Sequence, residues 1–494
     1  MTDREEERES LLVQTMMHGK GDSAEDDVPG KPASAADGVR ARRVEFPRDS
    51  LIRQISSNVM YKPPSLATEP GKATLKSFNR GSLMVEKNEL QRITPDDHGE
   101  YDQSKEMRGK FLVEFGLSKV MVQRIMSKCS ATYQVTALLD NGTRMKRDDS
   151  KFIEGKRKKE YTMDSPDDKS PASNEDYNLR LAPCLRLEAL KDLSFFLIHL
   201  AANMALPTTF ELFSTPNKIG GKGRGFRRVG STPKSADKKS SAEDYIPIGE
   251  QAESASEMIE NFLSSIVLSS ECSEGPLHLI EEVKEFYDDE HLEIQKQGGN
   301  ILVIIMTSFY PWGSKSDEQK NGREKFVKLL NEFADLPVTF VFFVEGTIQD
   351  VIEFYDNLIF PQSGIKADIN IAKGLGIMID GVQKHNPWLN YCLPIHLCQA
   401  LGICSNILSQ AEYRPLLAEE VGVLCNTFIG DIPDPDDDIN ACLRSIENYM
   451  SIDENTKWNP ATGGYAPLID TVKLKAHLSK QNTCLSCCRR CLKF

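Results

Sequence analysis

Apolar and polar positions alternate along the middle of this chain in two distinct periods. "TYQVTALLD" (132–140), "NILVIIMTSFYP" (300–311) and "PVTFVFFVEG" (337–346) are near-continuous apolar runs of strand length, the pattern of buried parallel strands. "TTFELFST" (208–215) reads as another strand. Between them the period changes to that of helices. In "LRLEALKDLSFFLIHLAANMAL" (185–206), Leu185, Ala189, Leu193, Phe196, Leu197 and Leu200 share one face, and Pro207 stands where a helix should stop. "SASEMIENFLSSIV", "PLHLIEEVKEFYDDEHLEIQKQ", "GREKFVKLLNEFAD" and "TIQDVIEFYDNLI" predict further helices. Ahead of the first strand, Phe111, Leu112, Phe115, Val122, Ile125 and Met126 recur at helical spacing, predicting an amphipathic helix over 105–128. Strands alternating with helices define an α/β class: a doubly wound, mostly parallel sheet with helices on both faces, Rossmann-like in plan.

The flanks differ from this middle. Residues 1–104 are rich in charge, Ser, Pro and Gly without a sustained apolar period, and read as mostly disordered. Residues 129–385 hold the α/β pattern, 386–482 form a helical C-terminal extension, and 483–494 are a Cys-rich tail. Residues 146–178 read as a charged loop. The stretch 217–244 sets eight Lys/Arg against three acids and carries five glycines, so it reads as a flexible basic insertion.

Charge and composition narrow the function classes. The 494 residues carry a formal net charge of −13, which argues against nucleic acid as the main partner. The acidic start lacks the apolar core of a secretory signal, and no stretch approaches membrane-helix length, so a cytoplasmic setting with twelve reduced cysteines is expected. Asn141-Gly142-Thr143 then stays an unused sequon. The basic patch at Lys222, Arg224, Arg227 and Arg228 could meet an anionic membrane surface. Cys484, Cys487, Cys488 and Cys491 lie beside Arg489 and Arg490, a setting suited to S-acylation and membrane association. Cys392, His396, Cys398 and Cys404 could be read as zinc ligands, but the apolar residues among them favour a core helix with buried thiols. "DPDDD" (434–438) lacks the glycine and terminal glutamate of an EF-hand loop and reads as a solvated acidic turn.

The first predicted strand ends in Asp140-Asn141-Gly142-Thr143-Arg144. Together with "RLEALKDLSFFLIHLAANMALPTTFELFST", "EGPLHLIEEVKEFY" and "NILVIIMTSFYP", this order resembles the von Willebrand factor type A domain of intracellular type, over roughly residues 130–370. The resemblance implies a site where Mg²⁺ is held by an Asp and two Ser of the first loop, a Thr of the second and an Asp after the central strand. Mapped onto this chain, Asp140 is kept, and the two serines become Gly142 and Arg144. The threonine position falls near Gly275 and the last aspartate on Ser308, beside Thr307. Thr143, Ser273, Thr307 and Ser308 offer neutral oxygens only. Mg²⁺ wants hard, near-octahedral oxygen ligands, and a cation at Arg144 would repel it. The resemblance therefore implies a degenerate metal site, with Asn141, Gly142, Arg144 and Thr307 left as a pocket for partner binding. The expected function is a non-enzymatic module that binds other proteins, with no cofactor. A Mg²⁺-dependent binding module and a peripheral membrane adaptor held by an acylated tail stay open as alternatives.

Overall fold

The computed structural model describes residues 50–54, 73–77, 82–87, 111–157, 177–204, 206–213, 245–247, 262–264, 266, 276–312, 319–359, 363–451 and 456–480. Strands β1 (Ala73–Ser77) and β2 (Ser82–Lys87) lie within the N-terminal region expected to be disordered. The expected helix over 105–128 is broken in two. A helical turn at 111–114 ends at Gly116, whose φ of 76° is a left-handed value that glycine adopts without strain. Helix α1 (Lys119–Ser130) then starts under Ser118, whose hydroxyl accepts from the Met121 N–H. Residues 105–110 of that expectation lie outside the described residues.

Strand β3 (Thr132–Leu139) follows, and then the first clear departure. Part of the expected charged loop is a hairpin of β4 (Ser150–Arg157) and β5 (Tyr177–Cys184), paired from Ser150↔Cys184 to Arg157↔Tyr177. Its signal was hidden because Glu154 occupies a buried position, tolerated by its ion pair with Arg180. Next come helix α2 (Arg186–Met204), β6 (Thr208–Leu212), β7 (Tyr245–Pro247), α3 (Leu277–Gln297), β8 (Asn300–Thr307), α4 (Gln319–Asn331), β9 (Val338–Val344) and α5 (Gln349–Asp356). Strand β10 (Asp368–Lys373) was not anticipated, because only Ile369 and Ile371 alternate there; helix α6 (Leu375–His385) was not anticipated either, although Leu375, Met378, Ile379 and Val382 fall at helical spacing. The C-terminal extension supplies α7 (Leu393–Ala400), α8 (Ser405–Ala411), α9 (Ala418–Phe428), α10 (Ile439–Met450), the hairpin β11 (Thr456–Asn459)–β12 (Gly464–Pro467) and a helix over 471–480.

The main sheet runs β10-β9-β8-β3-β6-β2-β1-β7. The five strands from β10 to β6 are parallel, and β2, β1 and β7 extend the β6 side with antiparallel pairs. Strand β3 is first of the parallel set in the chain; the second, β6, lies on one side and the remaining three on the other. The order therefore reverses between β3 and β8, which makes the carboxyl ends of these two strands the topological switch point.

Side-chain alternation divides the core. Leu138, Ile301, Val303, Ile305, Phe340 and Phe342 face α3, α4 and α5. Ala137, Leu139, Leu302, Ile304, Met306, Val341 and Phe343 face α2 and the apolar side chains of the C-terminal helices, including Leu397, Cys398 and Leu408. The extension thus covers one face of the sheet. Asn386, fully buried, fixes its path by donating to the Ala411 and Arg414 carbonyls (2.8 Å each) and accepting from the Leu416 N–H (2.9 Å).

A buried ion network joins the last parallel strand to this layer. Lys373, at the end of β10 and with no exposed side-chain surface, places Nζ 2.9 Å from Asp356 and 2.7 Å from Glu412. It also lies 2.9 Å from the Tyr413 hydroxyl, which donates to Asp356 at 2.6 Å. Removing one member of such a network strands the rest in a poorly solvated place. Lys373→Met is expected to lower stability in urea unfolding by about 3 kcal/mol, and adding Glu412→Gln should recover part of that loss.

Candidate functional site

At the switch point β3 ends on Asp140 and β8 on Thr307-Ser308. The Asp140 N–H bonds the Met306 carbonyl at 2.9 Å, so the parallel ladder carries the aspartate to the mouth of the crevice. Its carboxylate is buried and taken up by donors of the chain itself. Oδ1 accepts from the Gly142 N–H at 2.8 Å, and Oδ2 accepts from the Ser308 N–H at 3.2 Å and the Ser308 hydroxyl at 3.5 Å. The Thr307 hydroxyl lies 3.3 Å from Oδ2 and 3.2 Å from the Phe309 carbonyl, so its one proton serves either. Burial raises the Asp140 pKa, and these hydrogen bonds hold the rise back.

The turn after Asp140 is a single 3₁₀ turn (Thr143–Lys146) entered through Gly142. Asn141 and Gly142 are buried, Thr143 is exposed and Arg144 is half-buried. Arg144 lays its guanidinium over the Phe309 ring, 3.1 Å from the centroid, a cation–π contact. Burial lowers its pKa, the neighbouring Arg147 and Arg186 lower it further, and Asp140 pulls the other way. Phe309 packs edge-on against Tyr310 at 5.0 Å, and Tyr310 stacks on Trp312 at 5.2 Å, with all three rings half-buried.

The residues that sequence reasoning brought together are thus neighbours: Asp140, Asn141, Gly142, Arg144, Thr307 and Ser308 cluster at the carboxyl ends of β3 and β8. Thr143, the remaining member of the turn, is exposed. The donor set of one carboxylate and two hydroxyls, all three engaged with one another, does not match the hard octahedral shell of Mg²⁺. Among the described residues no three His, Cys, Asp or Glu side chains could together hold a metal ion. Ser273 and Gly275, the basic residues Lys222, Arg224, Arg227 and Arg228, and the tail cysteines Cys484, Cys487, Cys488 and Cys491 lie outside the described residues. Cys392 and Cys398 are buried in the core, as expected, and the His396 ring nitrogen meets the Tyr391 hydroxyl at 3.1 Å. In the acidic turn, Asp438 caps α10 by accepting from the Ala441 N–H at 2.9 Å.

Sequence reasoning missed the second tier of the crevice. Arg186, the first residue of α2, is fully buried and pairs Nε and Nη2 with Asp149 at 2.6 and 2.5 Å. That guanidinium holds the Asp149 carboxyl down at about 2. Thr347 donates its hydroxyl to the same carboxylate at 2.8 Å. Gly346 (φ 98°) admits the arginine, because a Cβ there would stand 2.1 Å from Cζ. Beside it Glu345 is buried and accepts the Ser150 hydroxyl at Oε1, at 2.5 Å. The one available signal was Glu345-Gly346 closing an apolar strand, where a charge is out of place.

The fold and this crevice define a doubly wound α/β protein. No known protein family, curated protein or solved structure matches the chain. Among the described residues no helix is long and apolar enough to cross a membrane.

Burial lifts the Glu345 carboxyl to about 7. Because the folded value lies above the unfolded one, ionisation penalises the fold increasingly from about pH 4.5 to 7, and the penalty is full above that. Glu345→Gln keeps the acceptor for Ser150. It is expected to be more stable than the wild type by about 2 kcal/mol at pH 8, with the difference vanishing near pH 4.5 in urea titrations.

Proposed function

We propose that this chain is a non-enzymatic protein-binding module on a von Willebrand A-like domain, and that its crevice works without a metal or other cofactor. The observation that carries the reading is the internal saturation of the Asp140 carboxylate beside a cationic Arg144. The chain's own donors occupy the oxygens that an ion would need, and the positive charge at the mouth comes from a side chain. An acidic side chain of a partner protein is the complement of such a mouth, since guanidinium groups bind carboxylates through paired N–H donors. The rim adds Phe309, Tyr310 and Trp312, and buried or half-buried Arg, Tyr and Trp are the residue types that dominate binding energy at protein interfaces. Support for the fold assignment is the order of β3, α2, β6 and β8, with the Asp140 and Thr307-Ser308 ends side by side.

The test has two arms. Millimolar Mg²⁺ or Mn²⁺ is expected to move the melting temperature by less than about 1 °C, because a ligand that does not bind the native state does not stabilise it. A clear concentration-dependent rise would return the site to the metal-dependent class. In the second arm, a fluorescein-labelled Asp/Glu-rich peptide is titrated by anisotropy. Arg144→Glu is expected to weaken its binding by about tenfold or more. Equal binding by wild type and variant would remove the crevice as the acidic-partner site.

A further inference from the structure

Ser50–Gln54 is a five-residue piece of chain far in sequence from everything it touches. The Ser50 hydroxyl donates to Asp192 Oδ1 in the middle of α2, and Ser50 bridges Glu154 of β4 across the backbone. Gln54 Nε2 donates to the Gly155 carbonyl at 2.7 Å. Ser50 is wholly buried, Leu51 is 2% exposed and Ile52 6%. The Ser50 hydroxyl also accepts from the Arg53 N–H at 3.4 Å, so the segment is one capped helical turn. Under it lies a cavity of about 20 Å³, lined by Ile52, Asp192, Glu345 and His396 among others.

We propose that the groove between α2 and the β4–β5 hairpin is a docking site for a short Ser-aliphatic-aliphatic turn, filled in cis by Ser50–Gln54, and that docking is coupled to proton uptake by Asp192. The physical reason is desolvation. The docked segment closes water off from Asp192 and offers it one hydroxyl, where an undocked segment leaves the carboxylate wet.

The other groups facing Asp192 do not replace that water. Among the described residues Arg53, on the segment itself, is the cation that favours the ionised form. Lys151 on β4 turns its ammonium to Asp380 at 3.3 Å, and Glu154 is paired with Arg180. Cys184 on β5 is a thiol that burial keeps protonated. His396 on α7 is held down at about 4 by burial and stays neutral above that. Glu345, beyond β9, titrates in the same range as Asp192, but its hydroxyl donor is Ser150 and not the segment.

Burial sets the docked Asp192 carboxyl at about 7, with Ser50 and Arg53 pulling it down. A wet carboxyl has an ordinary value near 4, so the docked state binds more protons between these limits. The docking constant is then expected to fall about tenfold from pH 6 to pH 8.

Hydrogen exchange on the full chain tests this, with the amides of residues 51–54 expressed as protection relative to intrinsic exchange at each pH. In the wild type, protection is expected to drop about tenfold from pH 6 to pH 8. Asp192→Asn keeps an acceptor for Ser50 and cannot ionise, so its protection should be equal at both pH values and no lower than the wild type's at pH 6. Glu345→Gln should keep the wild-type drop. Equal protection of the wild type at both pH values overturns the proposal, and so does a tenfold drop that survives in Asp192→Asn. A drop abolished by Glu345→Gln and not by Asp192→Asn assigns the proton to the other carboxyl and also overturns it.

Discussion

A parallel sheet whose two faces are both apolar must be covered on both, and most of the architecture follows from that constraint. The face carrying Leu138, Val303 and Phe342 is covered by α3, α4 and α5. The other face is too wide for α2 alone, and Leu397, Cys398 and Leu408 of the C-terminal helices complete it. These helices are therefore held by hydrophobic burial, with Asn386 and Lys373 fixing where they sit. Their polar contacts set register more than they add energy, since a buried ion network is only modestly favourable against an apolar alternative.

The same burial determines the character of the crevice. Strands that end deep inside a covered sheet bring their last residues into a poorly solvated region, and three carboxyl groups end there or nearby: Asp140, Glu345 and Asp192. Each is kept by hydroxyl or N–H donors from the chain. Arg186 brings a full charge inside with Asp149 for company, as Lys373 does with Asp356 and Glu412. Satisfying buried groups internally gives the site a fixed shape and leaves few free donors or acceptors. Arg144, half-buried over Phe309, is the member of this set that keeps its charge near the surface.

How much of this could be read in the sequence depended on how a residue makes its living in the fold. Long apolar runs such as 300–307 and 338–344 declared themselves, because their neighbours on both faces are apolar. Asp140 was legible because an acid directly after such a run has few uses. Strand β10 was not, since Asp368, Asn370 and Lys373 interrupt it, and buried Lys373 is tolerated only through partners 17 to 40 residues away, Asp356, Glu412 and Tyr413. The hairpin β4–β5 hid for the same reason: Glu154 is acceptable only once Arg180 is opposite it. Nothing local to Arg186 tells that it is buried or that Gly346 will leave room for it.

That asymmetry explains why the Asp140 turn could be read from the sequence and the Arg186–Asp149 pair beside it could not. A resemblance is carried by position, so it pointed to the ends of β3 and β8, where Asp140 and Ser308 lie side by side. It could not say what Arg144 would do, because the ring beneath it, Phe309, comes from a loop 165 residues later. Once the two loops are adjacent the outcome is constrained. A guanidinium can lie flat on an aromatic face and keep its edge toward water, whereas turning it inward toward Asp140 would exchange hydration for a carboxylate already engaged with three residues of the chain. The half-buried arginine stacked on Phe309 is thus the arrangement that keeps its charge near water while Asp140 stays engaged with the chain's own donors.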